Sequence, residues 1–176
     1  SNYNYGNYNQ TLGQSASENC SFGEAQLQVN LAGGANTVMG MRNAQQLQGG
    51  SQNAFYGYEN ARLGALSGEA NTGVGRGNLG VLSGLSARNT AVGDRNLAVS
   101  GAATGADLVL LGARNARNVT TASSVTAVGA DNLGAALVGS ELVAVGKGNF
   151  ALSNGASGSA ALGTRCADAA AFAGAR

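Results

Sequence analysis

The chain has 176 residues, is 44% hydrophobic but only 5% aromatic, and carries a net charge of +1 from 10 basic and 9 acidic side chains. Charge so nearly balanced gives no case for nucleic acid or an anionic membrane surface, and no apolar run is long enough to span a bilayer. The absence of histidine excludes His-based triads and His metal sites, and 29 scattered glycines, each costing about 1 kcal/mol in a helix interior, argue against helices.

Internal repetition decides the architecture. The stretch Asn89-Thr90-Ala91-Val92-Gly93-Asp94-Arg95-Asn96-Leu97 sets a pattern whose glycine recurs at 6, 23, 40, 57, 75, 93, 112, 129, 146 and 163, in steps of 17–19 residues. Such a period marks a stacked repeat, with each copy too short to fold alone. The residue before each glycine is large and apolar: Tyr5, Phe22, Met39, Tyr56, Val74, Val92, Leu111, Val128, Val145 and Leu162. Two residues earlier the column reads Tyr3, Cys20, Thr37, Ala54, Thr72, Thr90, Val109, Thr126, Val143 and Ala160. Positions two apart share a strand face, so these columns predict a short strand running into each glycine with both columns facing the core.

Three residues after the glycine come Asn9, Gln26, Asn43, Asn60, Asn78, Asn96, Asn115, Asn132, Asn149 and Cys166. Gly and Asn tolerate left-handed backbone and Asn can bond its own turn, so Gly-x-x-Asn reads as a corner. The next position (Leu27, Leu79, Leu97, Leu133, Phe150, with Ala elsewhere) starts a second inward strand in this reading. The absence of proline leaves every backbone N–H free to join a ladder. The fold expected is all-β: a parallel β-solenoid, or β-roll, of about ten coils of 17–19 residues.

In chain order, residues 1–21 form an atypical, Asn- and Tyr-rich end coil, and residues 22–165 carry the regular repeats. Within these, residues 22–70 hold the larger side chains, and residues 166–176 make a partial coil. The whole, 1–176, is one repeat rod, expected to be a fragment of a longer fibre. The column between the two apolar ones (Asn4, Ser21, Val38, Phe55, Gly73, Ala91, Leu110, Ala127, Ala144, Ala161) carries no charge, and is read as an outer face packed on other copies of the chain. The alternative is a lone solenoid with a plain, small-residue face. Charges gather just after the glycine (Glu24, Arg42, Glu59, Arg76, Asp94, Arg95, Arg114, Asp131, Lys147, Arg165) and largely alternate in sign, as solvated neighbours in a stack should.

Chemistry-bearing motifs are weak. Gly75-Arg76-Gly77-Asn78-Leu79-Gly80 matches a dinucleotide-binding pattern, but as a repeat corner it lacks the helix that pattern requires. Cys20 and Cys166 lie too many coils apart for an internal disulfide and read as buried free thiols. The Asn-x-Ser/Thr triplets at Asn9, Asn19 and Asn118 are chance matches in an Asn-rich chain. The carboxylates sit singly among arginines rather than in a catalytic pair, and the Thr column is too interrupted for an ice-binding array. No catalytic, cofactor-binding or metal residue is nominated, no cofactor is expected, and any ligand-binding residue is left unassigned.

At Asn71-Thr72-Gly73-Val74-Gly75, Asn89-Thr90-Ala91-Val92-Gly93 and Thr126-Ala127-Val128-Gly129 the chain resembles the repeats of phage tail fibres. It is also similar to the β-roll heads of trimeric autotransporter adhesins of the YadA-like kind. The resemblance implies a non-enzymatic homotrimer, extracellular on a virion or a bacterial surface, that attaches to a cell-surface glycan or protein receptor. It implies neither nucleic-acid binding nor membrane insertion. Adhesin-head coils are typically shorter than these, which favours the tail fibre. An adhesin head and a passive filament subunit are the alternatives.

Overall fold

The computed structural model describes residues 3–7, 18–26, 33–45, 48–62, 68–80, 87–97, 104–134, 137–150 and 157–166. Ten strands run through them: β1 Tyr3–Tyr5, β2 Cys20–Glu24, β3 Thr37–Met41, β4 Ala54–Tyr58, β5 Thr72–Arg76, β6 Thr90–Asp94, β7 Thr104–Ala113, β8 Val119–Ala130, β9 Leu137–Lys147 and β10 Ser159–Thr164. They form one parallel sheet in simple sequence order. Each strand pairs with the next one repeat on, Thr72 with Thr90 and Gly75 with Gly93, for example. This is the stacked-coil arrangement of a β-solenoid, with no helix among the described residues. Tyr3 pairs with Cys20, so the Asn- and Tyr-rich start joins the stack; Tyr8, Asn9 and Leu27 lie outside the described residues.

The corner after each strand is built from a repeated set of left-handed residues. In the β6 row Gly93 has φ 125°, Arg95 φ 53° and Leu97 φ 51°. A Cβ on Gly93 would collide with the carbonyl oxygen of Gly112 in the next row, so backbone approach as well as φ requires glycine. Left-handed backbone costs an ordinary residue about 1–2 kcal/mol. Here it aims the N–H along the stack: Arg95 N donates to Arg76 O at 2.8 Å and Leu97 N to Asn115 O at 2.9 Å. Asn96 between them is not left-handed. The Gly-x-x-Asn segment is therefore the corner expected, with the strained conformations on the neighbours of Asn rather than on Asn itself. The residues after Asn do point inward, as expected, with Leu79, Leu97, Leu133 and Phe150 buried. Leu79, Leu97, Leu133 and Phe150 themselves sit in the left-handed corner rather than in a strand, and in the rows where the following segment is described a second strand stretch opens a few residues later, at Val119 in β8 and Leu137 in β9.

A second corner, at Glu18, Ala35, Gln52, Ala70, Arg88, Asp107, Ser124, Glu141 and Gly158, with φ between 55° and 60°, precedes β2–β6 and β10 and falls inside the longer β7–β9. In five rows an Asn follows it directly (Asn19, Asn36, Asn53, Asn71 and Asn89), a recurrence the sequence reading missed.

The two faces of the sheet are the reverse of those expected. Tyr5, Phe22, Met39, Tyr56, Val74, Val92, Leu111, Val145 and Leu162 point outward and are 36–68% exposed. Residues in the Tyr3–Thr90–Ala160 column share that face. The column between them, expected outside, is the core: Val38, Phe55, Leu110, Ala91, Ala127 and Ala144 are fully buried. A one-residue shift of assignment moves a whole strand's side chains to the other face. The physical reason is room, since a narrow coil takes Ala, Ser and Gly, and a large residue fits only where a neighbour yields. Phe55 is such a case: a Cβ on Gly73 in the next row would lie 3.1 Å from its ring.

Two buried asparagine ladders line the coil. In the corner ladder Asn96 N and Nδ2 donate to Asn78 Oδ1 at 3.0 and 3.1 Å, and Nδ2 also reaches Val92 O and Gly112 O. The backbone N–H to Oδ1 bond recurs at each rung from Asn60 to Asn149, and Cys166 N closes the series on Asn149 Oδ1 at 2.8 Å. The other ladder stands just before the strands, through Asn19, Asn36, Asn53, Asn71 and Asn89. It ends where Leu108 N donates to Asn89 Oδ1. Beyond that point Leu108, Val125 and Leu142 fill the position, and β7–β9 lengthen to 10–12 residues against 5 in β2–β6.

Candidate functional site: the exposed face of the sheet

The outward face combines two uncharged columns over all ten strands. Thr37, Thr72, Thr90, Val109, Thr126 and Val143 stand beside Met39, Val74, Val92, Leu111, Val128 and Val145. The strands place them there because Ala and Asn on the alternate positions turn inward. Thirteen large apolar side chains among the described residues remain at least 36% exposed, nearly all of them in these columns. Single exposed apolar residues need no explanation, but a continuous strip of them marks an interaction surface. Aromatic and thioether groups hold the first four rows, with the Tyr5 and Phe22 rings 6.0 Å apart, and β-branched residues hold most of the rest.

Charge is confined to the rims. Arg76 Nε lies 2.7 Å from Asp94 Oδ1, and Arg114 is bidentate to Asp131 at 2.7 and 2.8 Å, each pair linking adjacent rows. Arg42 and Arg62 share Glu59 at 3.6 and 2.9 Å. These bear out the alternating corner. The opposite rim holds a further pair, Arg88 with Asp107 at 2.6 Å, that the sequence reading did not single out. Hydrogen bonds from these arginines, with their charge, hold the carboxyls of Asp94, Asp107 and Asp131 below the usual carboxylate range.

The surface expected to join copies, the Asn4–Ala91–Ala161 column, is thus interior, and the columns expected inside form the exposed strip. The available signal lay in the later rows, where a column of Val and Leu alternates with Ala91, Ala127, Ala144 and Ala161 and the small column faces in. Cys20 is exposed on the strip rather than buried, Cys166 is half-buried, and both are free thiols. Asn19 is fully buried in its ladder, which removes that triplet as a glycosylation acceptor. Gly75–Gly80 is a strand end and corner, with Asn78 in the ladder and Leu79 in the core. Among the described residues no group of three metal-ligating side chains occurs, and no helix is long and apolar enough to cross a membrane. No known protein family, characterised protein or solved structure matches this chain.

Proposed function

We propose that the chain is a structural and attachment segment of an extracellular homotrimeric fibre, of the phage tail-fibre kind, that helps reach or bind a host cell surface. The observation that carries this reading is the uncharged apolar strip running through all ten strands. Burying it costs no desolvation of charge, and each apolar side chain covered contributes about 25 cal/mol per Å². A three-fold axis parallel to the stack lets each sheet turn its strip inward while the charged rims stay in water. The function is then architectural, with the rod holding position and reach rather than performing chemistry.

Light scattering of the purified chain tests this. A mass three times the 17.3 kDa of the single chain is expected. Val92→Lys with Val145→Lys should lower it to that of one chain while the β-sheet circular dichroism persists. A wild-type monomer at micromolar concentration would remove the assembly, and the strip would then need another partner.

A further inference from the structure

The exposed strip has charged margins, and two of its rows carry opposite charges at their two ends. Alternate residues of a strand share a face, so the outward side of β9 reads Glu141, Val143, Val145 and Lys147, with Leu142 and Ala144 buried between them. The β6 row reads Arg88, Thr90, Val92 and Asp94 in the same places. Arg88 is paired with Asp107 and Asp94 with Arg76 inside the chain. Glu141 and Lys147 are both exposed, and neither has an ion-pair partner among the described residues. Lys147 is flanked in register by Ala130 and Thr164, and the carboxylate of Asp131 is taken bidentately by Arg114. The corners on either side of Glu141 are Ser124 and Gly158. At opposite ends of one strand stretch, Glu141 and Lys147 are about 20 Å apart and cannot meet within a chain.

We propose that Glu141 and Lys147 are recognition residues between copies of this chain, the Lys147 margin of one copy lying beside the Glu141 margin of the next. A rotation axis parallel to the stack carries the closing margin of one sheet to the opening margin of its neighbour at the same height. The two ends of a row stay within one coil of each other, since the stack rises only about 4.8 Å per coil. In that register Glu141 meets Lys147, and Arg88 comes level with Asp94. A slip of one row in one direction sets Arg88 against Arg76 and Asp107 against Asp94, like against like. A slip the other way leaves Glu141 opposite Thr164 and Arg88 opposite Ala113. Turning one copy end for end lays each margin against its own kind and parts Glu141 from Lys147. Only β2 opposes the proposed register, with Glu18 and Glu24 at its two margins. The pair stays solvated, so it adds little to affinity and acts on direction and register, as charges flanking a coiled-coil seam do. The inference rests on the proposed assembly through the strip and holds for any number of copies around such an axis.

Coupling with a water-soluble carbodiimide tests it, because Lys147 is the only lysine in the chain and each link it forms names one carboxylate. Particles assembled from isotopically light and heavy chains are coupled and digested, and the linked peptides are identified by mass. A Lys147–Glu141 link joining a light chain to a heavy one is expected. It should vanish in Lys147→Arg, which keeps the charge and removes the amine, while light scattering shows an unchanged mass. Lys147→Glu should slow assembly at low salt by about threefold or more, and adding Glu141→Lys to the same chain should restore the rate. Circular dichroism of each variant shows that the fold is retained. Links from Lys147 to Asp131 alone, links to Glu18 or Glu24 of another copy, or assembly indifferent to Lys147→Glu would each overturn the pairing. Light scattering on the same samples separates the two readings. A multi-chain mass without the Glu141 link removes this pairing and keeps the assembly, whereas a single-chain mass removes both.

Discussion

Asn96 carries more of the fold than its size suggests. Its amide bonds Asn78 Oδ1, Val92 O and Gly112 O, and its Oδ1 accepts from Asn115 N. Each buried group left without a partner costs about 1–3 kcal/mol. Asn96→Leu should therefore cost about 3 kcal/mol or more in urea denaturation. Asn89→Leu should cost clearly less, because Leu108 already occupies the next place in that ladder; equal losses would contradict the ladder account. Glycines divide in the same way. Gly93→Ala places Cβ against the carbonyl of Gly112, and a loss of about 3 kcal/mol or more is expected. Gly77→Ala meets only the Arg95 side chain, 3.4 Å away at Cγ, and keeps a left-handed φ of 63° that other residues adopt here, so about 1 kcal/mol is expected. At this scale the Gly and Asn columns were legible because both recur without much drift. The left-handed neighbours of Asn were not, since Arg, Glu, Ala and Leu carry no local sign of that conformation.

The strands of β2–β6 are five residues long, and alternation over so short a span gives two faces without saying which is inner. Large residues were assigned inside on general hydrophobic grounds, yet Ala91, Ala127 and Ala144 face the core with Val38, Phe55 and Leu110, while Val92 and Val145 face out. The charged rims were readable, because neighbours one repeat apart must differ in sign to stack. Their consequence for pH follows from the lowered carboxyls of Asp94 and Asp131. A carboxyl whose folded pKa is depressed stabilises the fold above its unfolded value, near 3.8, and loses that contribution as pH falls through the lower folded value. The melting temperature should stay flat from pH 8 to 5 and decline on the acid side of about pH 4. Asp94→Asn should remove part of the decline. The groups are largely solvated, so the effect is small, and a transition centred near pH 6 would contradict it.

For the molecule as a whole, the period of 17–19 residues sufficed for a parallel stack, because only in-register rows put the glycine carbonyls, Asn amides and rim charges against their own kind at once. The number of chains in the particle was not legible, since a strip of Thr and Val suits a subunit contact at any rotational order. If three copies share the strip, the contact is apolar, and its dissociation should be nearly indifferent to salt between 0.05 and 0.5 M, roughly a threefold change in screening length. Sedimentation at the two ionic strengths checks this, and strong salt dependence would shift the contact to the charged rims.

Strands that lie across the stack have a mechanical consequence. Their ladder hydrogen bonds point along the rod, so tension applied to the two chain termini of a single chain pulls rows apart rather than sliding strands past one another. Rows then peel from an end one after another, each releasing a repeat of 17–19 residues, or about 60 Å of extended chain. Under load such a rod yields in evenly spaced steps at modest force instead of breaking once, and a fibre built from it would lengthen before it let go.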